Sequence, residues 1–243
     1  MKTSPDISIV IPVFNESENI VNLAHEITTS LDGQKYEVIF VDDASTDQTK
    51  EKIRELKNNY PEIRGLSHNN NAGQSRAILS GVQMAESAYI VTLDGDGQND
   101  PRDIPRLYNQ LTRVSAPEGL VLVSGQRVKR LDSNAKKLAS KLGNKIRKRL
   151  LNDEADDTGC GIKVIKRSVY LDLPFFDHMH RYIPALVMRS GFKIEFCEVN
   201  HRERKFGRSK YTNWGRLIVS LSDLLGVMWL GKRHRRHGGL DEF

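Results

Sequence analysis

Tyr89-Ile90-Val91-Thr92-Leu93-Asp94-Gly95-Asp96-Gly97-Gln98-Asn99-Asp100-Pro101 is the stretch on which the reading of this chain turns. A short apolar run with β-branched residues reads as a buried strand, and the acidic, glycine-broken tetrad that follows places a loop at its end. Two carboxylates at i and i+2 around a glycine can both turn toward one hard cation, because the residue without a side chain lets the backbone bend between them. Mg²⁺ or Mn²⁺ takes oxygen ligands and shares them with substrate phosphates, so Asp94 and Asp96, with Gln98 as a further oxygen donor, are the candidate metal ligands. Asp and Gly also build ordinary surface turns, so the tetrad needs its surroundings to decide what it is.

Working outward, strands alternate with helices. Ile7-Ser8-Ile9-Val10-Ile11-Pro12 reads as a buried strand, and apolar residues at helical spacing (Ile20, Leu23, Ala24, Ile27, Leu31) predict a helix over Glu16–Leu31. Tyr36–Val41 is a second strand ending in Asp42-Asp43, after which Ser45 or Thr46 is expected to cap a helix running toward Tyr60. A short strand near Arg64–Ser67 and a helix from about Gly73 to Ala85 precede the strand that delivers Asp94. Pro101 suits the first turn of a further helix through about Leu111, and Leu120-Val121-Leu122-Val123-Ser124 is a fifth strand. Near-continuous Val/Ile strands separated by helices predict an α/β fold with a mostly parallel sheet covered on both faces, and such sheets bind ligands at the carboxyl ends of their strands. Further on, Ala135–Leu151 is basic and amphipathic, Ile162–Ile165 and Lys193–Val199 read as strands, and Arg181–Ser190 as a helix.

The bulk properties narrow the classes. With 243 residues the chain can bury a full core, and 38% hydrophobic with 28% charged residues is ordinary for a soluble protein, against disorder and against a polytopic membrane protein. We expect one main domain over residues 1–212, with residues 116–212 completing what 1–115 begin, and a separate C-terminal segment over 213–243. The net charge of +6 is regional: ten Lys or Arg face one acid between Arg127 and Arg149, and ten face two acids between Arg202 and Arg236. Two cysteines, Cys160 and Cys197, make no disulfide framework or zinc spacing and are expected to be reduced core thiols. No apolar leader precedes Ile7, so the cytoplasm is the expected compartment.

Other polar residues fall at strand ends like Asp94. Pro12-Val13-Phe14-Asn15-Glu16 lies just past the first strand, where it can meet a nucleobase or ribose, although Asn15 also suits a helix cap. Asp42, Asp43 and Asp47 are more acids than capping requires, and an acid at a strand end grips ribose or base donors. Neither strand is followed by G-x-G-x-x-G, which removes the dinucleotide dehydrogenases.

Taken together, Pro12–Glu16, Asp42–Asp47, Asn71-Ala72-Gly73-Gln74 and the Asp94 tetrad, in this order and spacing, resemble the family 2 glycosyltransferases of GT-A fold. Within them the chain is most similar to the polyprenyl-phosphate glycosyltransferases of the dolichyl-phosphate mannose synthase type, through Ser124-Gly125-Gln126-Arg127, Asp157-Thr158-Gly159-Cys160-Gly161 and Arg204-Lys205-Phe206-Gly207-Arg208-Ser209-Lys210-Tyr211. The resemblance implies an inverting transferase that moves a hexose-type sugar from a nucleotide diphosphate, with UDP favoured over GDP, to a polyprenyl phosphate. It assigns Pro12, Val13, Asn15, Glu16, Asp42, Asp43, Ser45, Asn71, Gly73 and Gln74 to the nucleotide sugar. Asp94, Asp96 and Gln98 go to the metal and diphosphate, and Arg127, Arg204, Ser209 and Lys210 to phosphate groups. Asp157 is a candidate for orienting substrate, with a structural Asx turn as the alternative. A lipid phosphate is largely a dianion near neutral pH and needs no general base, so no catalytic histidine is required; the seven histidines are expected to be surface or structural.

Trp214, Leu217, Ile218, Leu221, Leu224, Leu225, Met228 and Trp229 follow helical spacing, and Lys232-Arg233-His234-Arg235-Arg236 follows at once. The longest apolar stretch, Leu217–Leu230, is 14 residues and is interrupted by Ser220, Ser222 and Asp223, too short to cross a bilayer. An amphipathic helix trailed by cations suits the plane of a bilayer interface, where an anionic surface contributes about 1 kcal/mol per nearby Lys or Arg. Ordinary packing and a homo-oligomer contact are the alternatives. Without aromatic residues interleaved among the cations, nucleic acid is not an expected partner. The expectation is a peripheral protein on the inner face of the membrane.

Overall fold

The first half of the sheet forms as its β-branched runs require. In the computed structural model, residues 4–127, 147–151, 153–204 and 213–233 are described, with side chains from residue 221 onward in the last segment. Strands β1 (Ile7–Val13), β2 (Tyr36–Asp42), β3 (Ile63–Ser67) and β4 (Tyr89–Thr92) pair in parallel. Helices α1 (Ile20–Ser30), α2 (Thr49–Asn59) and α3 (Gln74–Met84) connect them. After α4 (Ile104–Thr112) come β5 (Leu120–Arg127), β6 (Lys163–Lys166), α5 (Arg167–Asp172), α6 (Ile183–Arg189), β7 (Lys193–Val199) and α7 (Asn213–Lys232). The seven strands form one sheet in the order β3-β2-β1-β4-β6-β5-β7, in which β6 alone runs antiparallel to its neighbours. One sheet therefore runs through both sides of residue 115.

Two cores lie on its two faces. One is built by Ile20, Leu23 and Ile27 of α1, Ile53 and Leu56 of α2, and Ile104, Leu107 and Leu111 of α4 against Ile7, Ile9, Ile11, Phe40 and Val91. The other is built by Ala77, Ile78 and Val82 of α3, Val169 and Tyr170 of α5, and Ile183, Leu186 and Val187 of α6 against Val10, Ile39, Val41, Leu122 and Ile165. Leu224 and Val227 of α7 join this second core, so the C-terminal helix packs on the domain along one side. Gly81 shows how close the helices sit, since a methyl group there would meet Val10 Cγ1 at 2.4 Å.

Three boundaries differ from the sequence reading. Helix α1 begins at Ile20, not Glu16, because the Glu16 carbonyl accepts from the Asn19 and Ile20 amides and closes a turn first. Helix α2 begins at Thr49, and Asp47 holds its start by accepting from the Thr49 amide at 3.0 Å and hydroxyl at 2.5 Å. Ser45 and Thr46 instead tie this loop to the one after β1: the Asn15 amide donates to Ser45 Oγ at 2.9 Å and the Thr46 amide to Asn15 Oδ1 at 2.8 Å. Strand β5 runs on to Arg127, which places that side chain at the strand end. Most of the basic stretch 135–151, and Ser209 and Lys210, lie outside the described residues.

Candidate active site

The carboxyl edge of the sheet gathers the motifs through a chain of hydrogen bonds. Asp43 is buried at the end of β2 and accepts from the amides of Ala72 at 2.9 Å and Gly73 at 2.8 Å, while the Asn71 side chain donates to its carbonyl at 3.1 Å. Folding the Asn71–Gln74 loop onto this carboxylate needs a left-handed residue, supplied by Gly73 at φ 87°. Gln74, first residue of α3, then donates to Asp94 Oδ1 at 2.9 Å. Asp42 is buried as well, accepting from the Ser45 amide at 3.1 Å and the Ser67 hydroxyl at 3.3 Å.

Asp94 is walled in from the β6 side. A methyl group on Gly161 would lie 2.1 Å from Asp94 Oδ2 and 2.8 Å from Asn99 Oδ1, so only glycine lets the backbone before β6 close against the acid. Thr92 fixes that approach by donating to the Gly161 carbonyl at 2.7 Å. Gly95 is equally constrained on the other side, where a methyl would meet Val13 Cγ1 at 2.6 Å and the Pro12 carbonyl at 3.2 Å. Burial, and then the charge of Asp96, push the Asp94 carboxyl up to about 6. Two like charges this close, one of them poorly hydrated, are what a divalent cation relieves. Asn99 Oδ1, buried beside Asp94 Oδ2, has no hydrogen-bond partner. Asp94, Asp96 and the unpaired Asn99 Oδ1 are thus oxygen donors of the kind a hard cation takes. Among the described residues no cluster of three or more His, Cys, Asp or Glu side chains is arranged to hold a metal.

Positive charge surrounds the acids. Arg204 Nη2 lies 3.5 Å from Asp96 Oδ2 and 3.0 Å from Glu16 Oε1, so this guanidinium reaches both the loop after β4 and the loop after β1. Arg127 meets Asp157 as a fork, with Nε 2.6 Å from Oδ2 and Nη2 2.7 Å from Oδ1. Asp157 thus orients a phosphate-candidate arginine. Gln98 donates through its amide to Asp96 Oδ1 at 3.1 Å and through its side chain to the Arg202 carbonyl at 3.4 Å.

Four contributors were missed by motif reading. Lys163 is buried on β6, where its ammonium donates to the Cys160 carbonyl; burial lowers its pKa, while the charges of Cys160, Asp94 and Asp157 raise it. A lysine inside the apolar run Ile162–Ile165 was the available signal. Asn99 sits within the quoted tetrad's continuation but carries no motif weight alone. His68 bridges Asp43 Oδ1 at 2.7 Å and Ser80 Oγ at 2.9 Å. Arg202, counted only as part of a basic block, pins the metal loop by its 2.5 Å contact with Asp100 and 2.6 Å contact with Glu26. The histidine expectation agrees with the placement of His180, which is hydrogen-bonded to Ser75 Oγ at 2.7 Å and whose pKa burial lowers well below the ordinary value. Both cysteines are free and buried, and burial pushes the Cys160 thiol up to about 11.

A seven-stranded sheet with one reversed strand, carrying paired aspartates where β4 ends and a second acidic pair where β2 ends, defines the GT-A class of nucleotide-sugar transferases. The family model for glycosyl transferase family 2 matches residues 8–173, and the chain belongs to that family and is a glycosyltransferase. It is 32% identical over 241 residues to a dodecaprenyl-phosphate galacturonate synthase of Rhizobium johnstonii, covering 97% of this chain and 70% of that one. Among solved structures it resembles glucosyl-3-phosphoglycerate synthase of Mycobacterium tuberculosis in complex with phosphoglyceric acid, with TM-score 0.70 and 19% identity over 98% of this chain and 84% of that one. The same enzyme with Mn²⁺, UDP-glucose and glycerol 3-phosphate superposes with TM-score 0.68 at 19% identity, covering 98% of this chain and 84% of that one.

Proposed function

We propose that this enzyme transfers a hexose-type sugar, with inversion, from a UDP-sugar to a polyprenyl phosphate at the cytoplasmic face of a membrane. The observation that carries this reading is the meeting of Gln74, Asp96 and Gly161 around Asp94 at the carboxyl edge of the sheet. The kinship with a dodecaprenyl-phosphate galacturonate synthase supports the lipid acceptor. A fold shared with an enzyme that holds Mn²⁺ and UDP-glucose supports the donor and a divalent cation, Mn²⁺ or Mg²⁺.

In this reading Asp42 and Asp43 close the nucleoside side together with Pro12, Val13, Asn15, Glu16 and Ser45, and the Asn71–Gln74 loop carries that side to the acid pair. Asp94 and Asp96, with Gln98, hold the cation, which when bound supplies positive charge to the departing diphosphate. Arg204, beside Asp96, adds a fixed charge at the same place, and Arg127, oriented by Asp157, takes the acceptor phosphate, a role the family resemblance also gives to Ser209 and Lys210. An acceptor phosphate oxygen attacks the anomeric carbon, the new C–O–P linkage forms as the bond to the nucleotide diphosphate breaks, and UDP leaves with the electron pair. A phosphate monoester has its second pKa near ~6 and is already a dianion, so no side chain has to remove a proton. His68 and His180 agree with this, being engaged in hydrogen bonds of the scaffold.

Among the described residues no helix is long and apolar enough to cross a membrane, and α7 would meet the lipid phase from its surface. A UDP-sugar panel scanned by thermal shift tests the donor: a cognate ligand at about 100 Kd stabilises by about 2.7 kcal/mol. The shift should require Mn²⁺ or Mg²⁺ and should vanish in Asp96→Asn. A shift equal in EDTA, or one given by GDP-sugars alone, would refute the assignment.

A further inference from the structure

Helix α7 has two different sides. Toward the protein, Leu224 and Val227 are buried in the second core, Asp223 Oδ2 stands 3.4 Å from His178 Nδ1, and Arg189 Nε donates to the Leu230 carbonyl at 2.9 Å. Away from it, Leu221, Leu225 and Trp229 are 59%, 58% and 59% exposed. These three recur every fourth residue, so at about 100° per residue they form one stripe on the outer side of the helix, about 12 Å long. Lys232 and Arg233 are exposed too. The same helical arithmetic puts Lys232 in line with Leu221 and Leu225 and Arg233 beside Trp229, whose ring the guanidinium approaches at 5.8 Å. An ordinary packed surface helix would show polar residues on this side.

We infer that the outer stripe Leu221–Leu225–Trp229, with Lys232 and Arg233, is a docking surface for an anionic lipid bilayer. The inference rests on the lipid-acceptor reading above, and what commits it to this occupant is charge: the apolar stripe ends in exposed cations, which match anionic headgroups. Trp229 gives the stripe an amphipathic ring at its basic end, the kind of residue that sits at headgroup level. The placement also suits the chemistry. Asp223 lies against His178, whose loop reaches α3 at the catalytic edge through His180 and Ser75, while Leu230 lies against Arg189, just before β7 begins at the opposite edge. A helix lying flat in the interface therefore points its Leu221 end toward the catalytic edge, which a lipid phosphate has to reach, and its basic end toward the far edge. Leu224 and Val227 stay on the protein, so docking needs no unpacking of the helix.

The test is co-sedimentation with vesicles of phosphatidylglycerol and phosphatidylcholine against vesicles of phosphatidylcholine alone. The wild type should bind the anionic vesicles and release them at high salt, and Leu225→Glu with Trp229→Glu should weaken binding by roughly tenfold or more. Both positions are exposed, and an unchanged melting temperature establishes that the variant folds. Binding by the variant equal to wild type, or no binding by wild type, would overturn the inference. So would light scattering that shows a wild-type dimer turned to monomer by the same substitutions, because a second copy would then own the stripe. In parallel, wild-type transfer to a water-soluble short-chain prenyl phosphate is measured. Transfer without vesicle binding removes the docking surface alone, whereas vesicle binding without transfer removes the acceptor assignment alone.

Discussion

Gly161→Ala is the smallest change that should disable the site. The glycine φ does not lie in the left-handed region, so alanine is compatible with the backbone and the effect is steric. Its methyl would lie 2.1 Å from Asp94 Oδ2, against the 3.0 Å below which real contacts essentially never fall, so the carboxylate has to retreat by about 1 Å. Gln74 holds the other oxygen at 2.9 Å, which leaves rotation away from the Gly161 side as the available response. A displacement of about 1 Å in a catalytic group costs on the order of 100-fold in rate. That is about 2.7 kcal/mol of transition-state stabilisation. Overpacking also costs about 1–3 kcal/mol of fold stability, so the assay has to separate the two. Gly81→Ala supplies the comparison: its methyl would meet Val10 Cγ1 at 2.4 Å and Val41 Cγ2 at 3.1 Å, apolar side chains and not a carboxylate. Initial rates of label transfer from UDP-sugar, and Mn²⁺-dependent UDP binding, should fall for Gly161→Ala and hold for Gly81→Ala at temperatures where both are folded. A Gly161→Ala enzyme with wild-type rate and Mn²⁺ affinity would refute the placement of Asp94 at the reacting centre.

Further expectations concern charge. Because the folded state raises Asp94 from 3.8 to about 6, it binds this proton more tightly than the unfolded chain. The metal-free protein therefore loses stability as pH climbs through that window, by at most about 3 kcal/mol, and the loss is complete above the folded value. Urea titrations in EDTA should show Asp94→Asn more stable than wild type at neutral pH and the difference gone near about pH 4. Transfer should show an acid limb near pH 6 that moves down as Mn²⁺ rises, since cation and proton compete for one carboxylate. Lys163→Met removes a cation that lowers Asp94, so its acid limb should move to higher pH; a limb that stays in place would separate Lys163 from the site. Arg127→Met takes the fork from the buried Asp157 and should cost about 3–5 kcal/mol in denaturant titrations, with Arg127→Lys unable to restore it because an ammonium offers no bidentate geometry.

The sequence made the sheet and its catalytic edge readable because buried parallel strands are continuous apolar runs and the polar residues at their ends stand out against them. Asp42, Asp43, Asp94 and Asp96 were all visible this way, while Gln74 came from the resemblance of the Asn71–Gln74 segment. The reversal of β6 was not, since Lys163–Lys166 has the same local pattern in either direction and its pairing is set by partners 39 to 77 residues away. Helix starts were misplaced where Asp47 takes the α2 donor that pattern alone assigns to Ser45 or Thr46, and where the Glu16 carbonyl closes a turn ahead of α1. Lys163 and Asn99 escaped because their importance lies in burial beside Asp94, a property of the fold and not of spacing. The two sides of α7 were also hidden, since amphipathic spacing gives an apolar face without saying that Leu224 and Val227 pack inward while Leu221, Leu225 and Trp229 point out.

The most direct measurement follows label from a radioactive UDP-sugar into organic solvent, with the purified protein, a divalent cation and polyprenyl phosphate. The account predicts extraction of label only when all of these are present, abolished by EDTA, restored by Mn²⁺ or Mg²⁺, and lost in Asp96→Asn. Label that moves without divalent cation, or that passes to a soluble saccharide and never to the lipid, would contradict it.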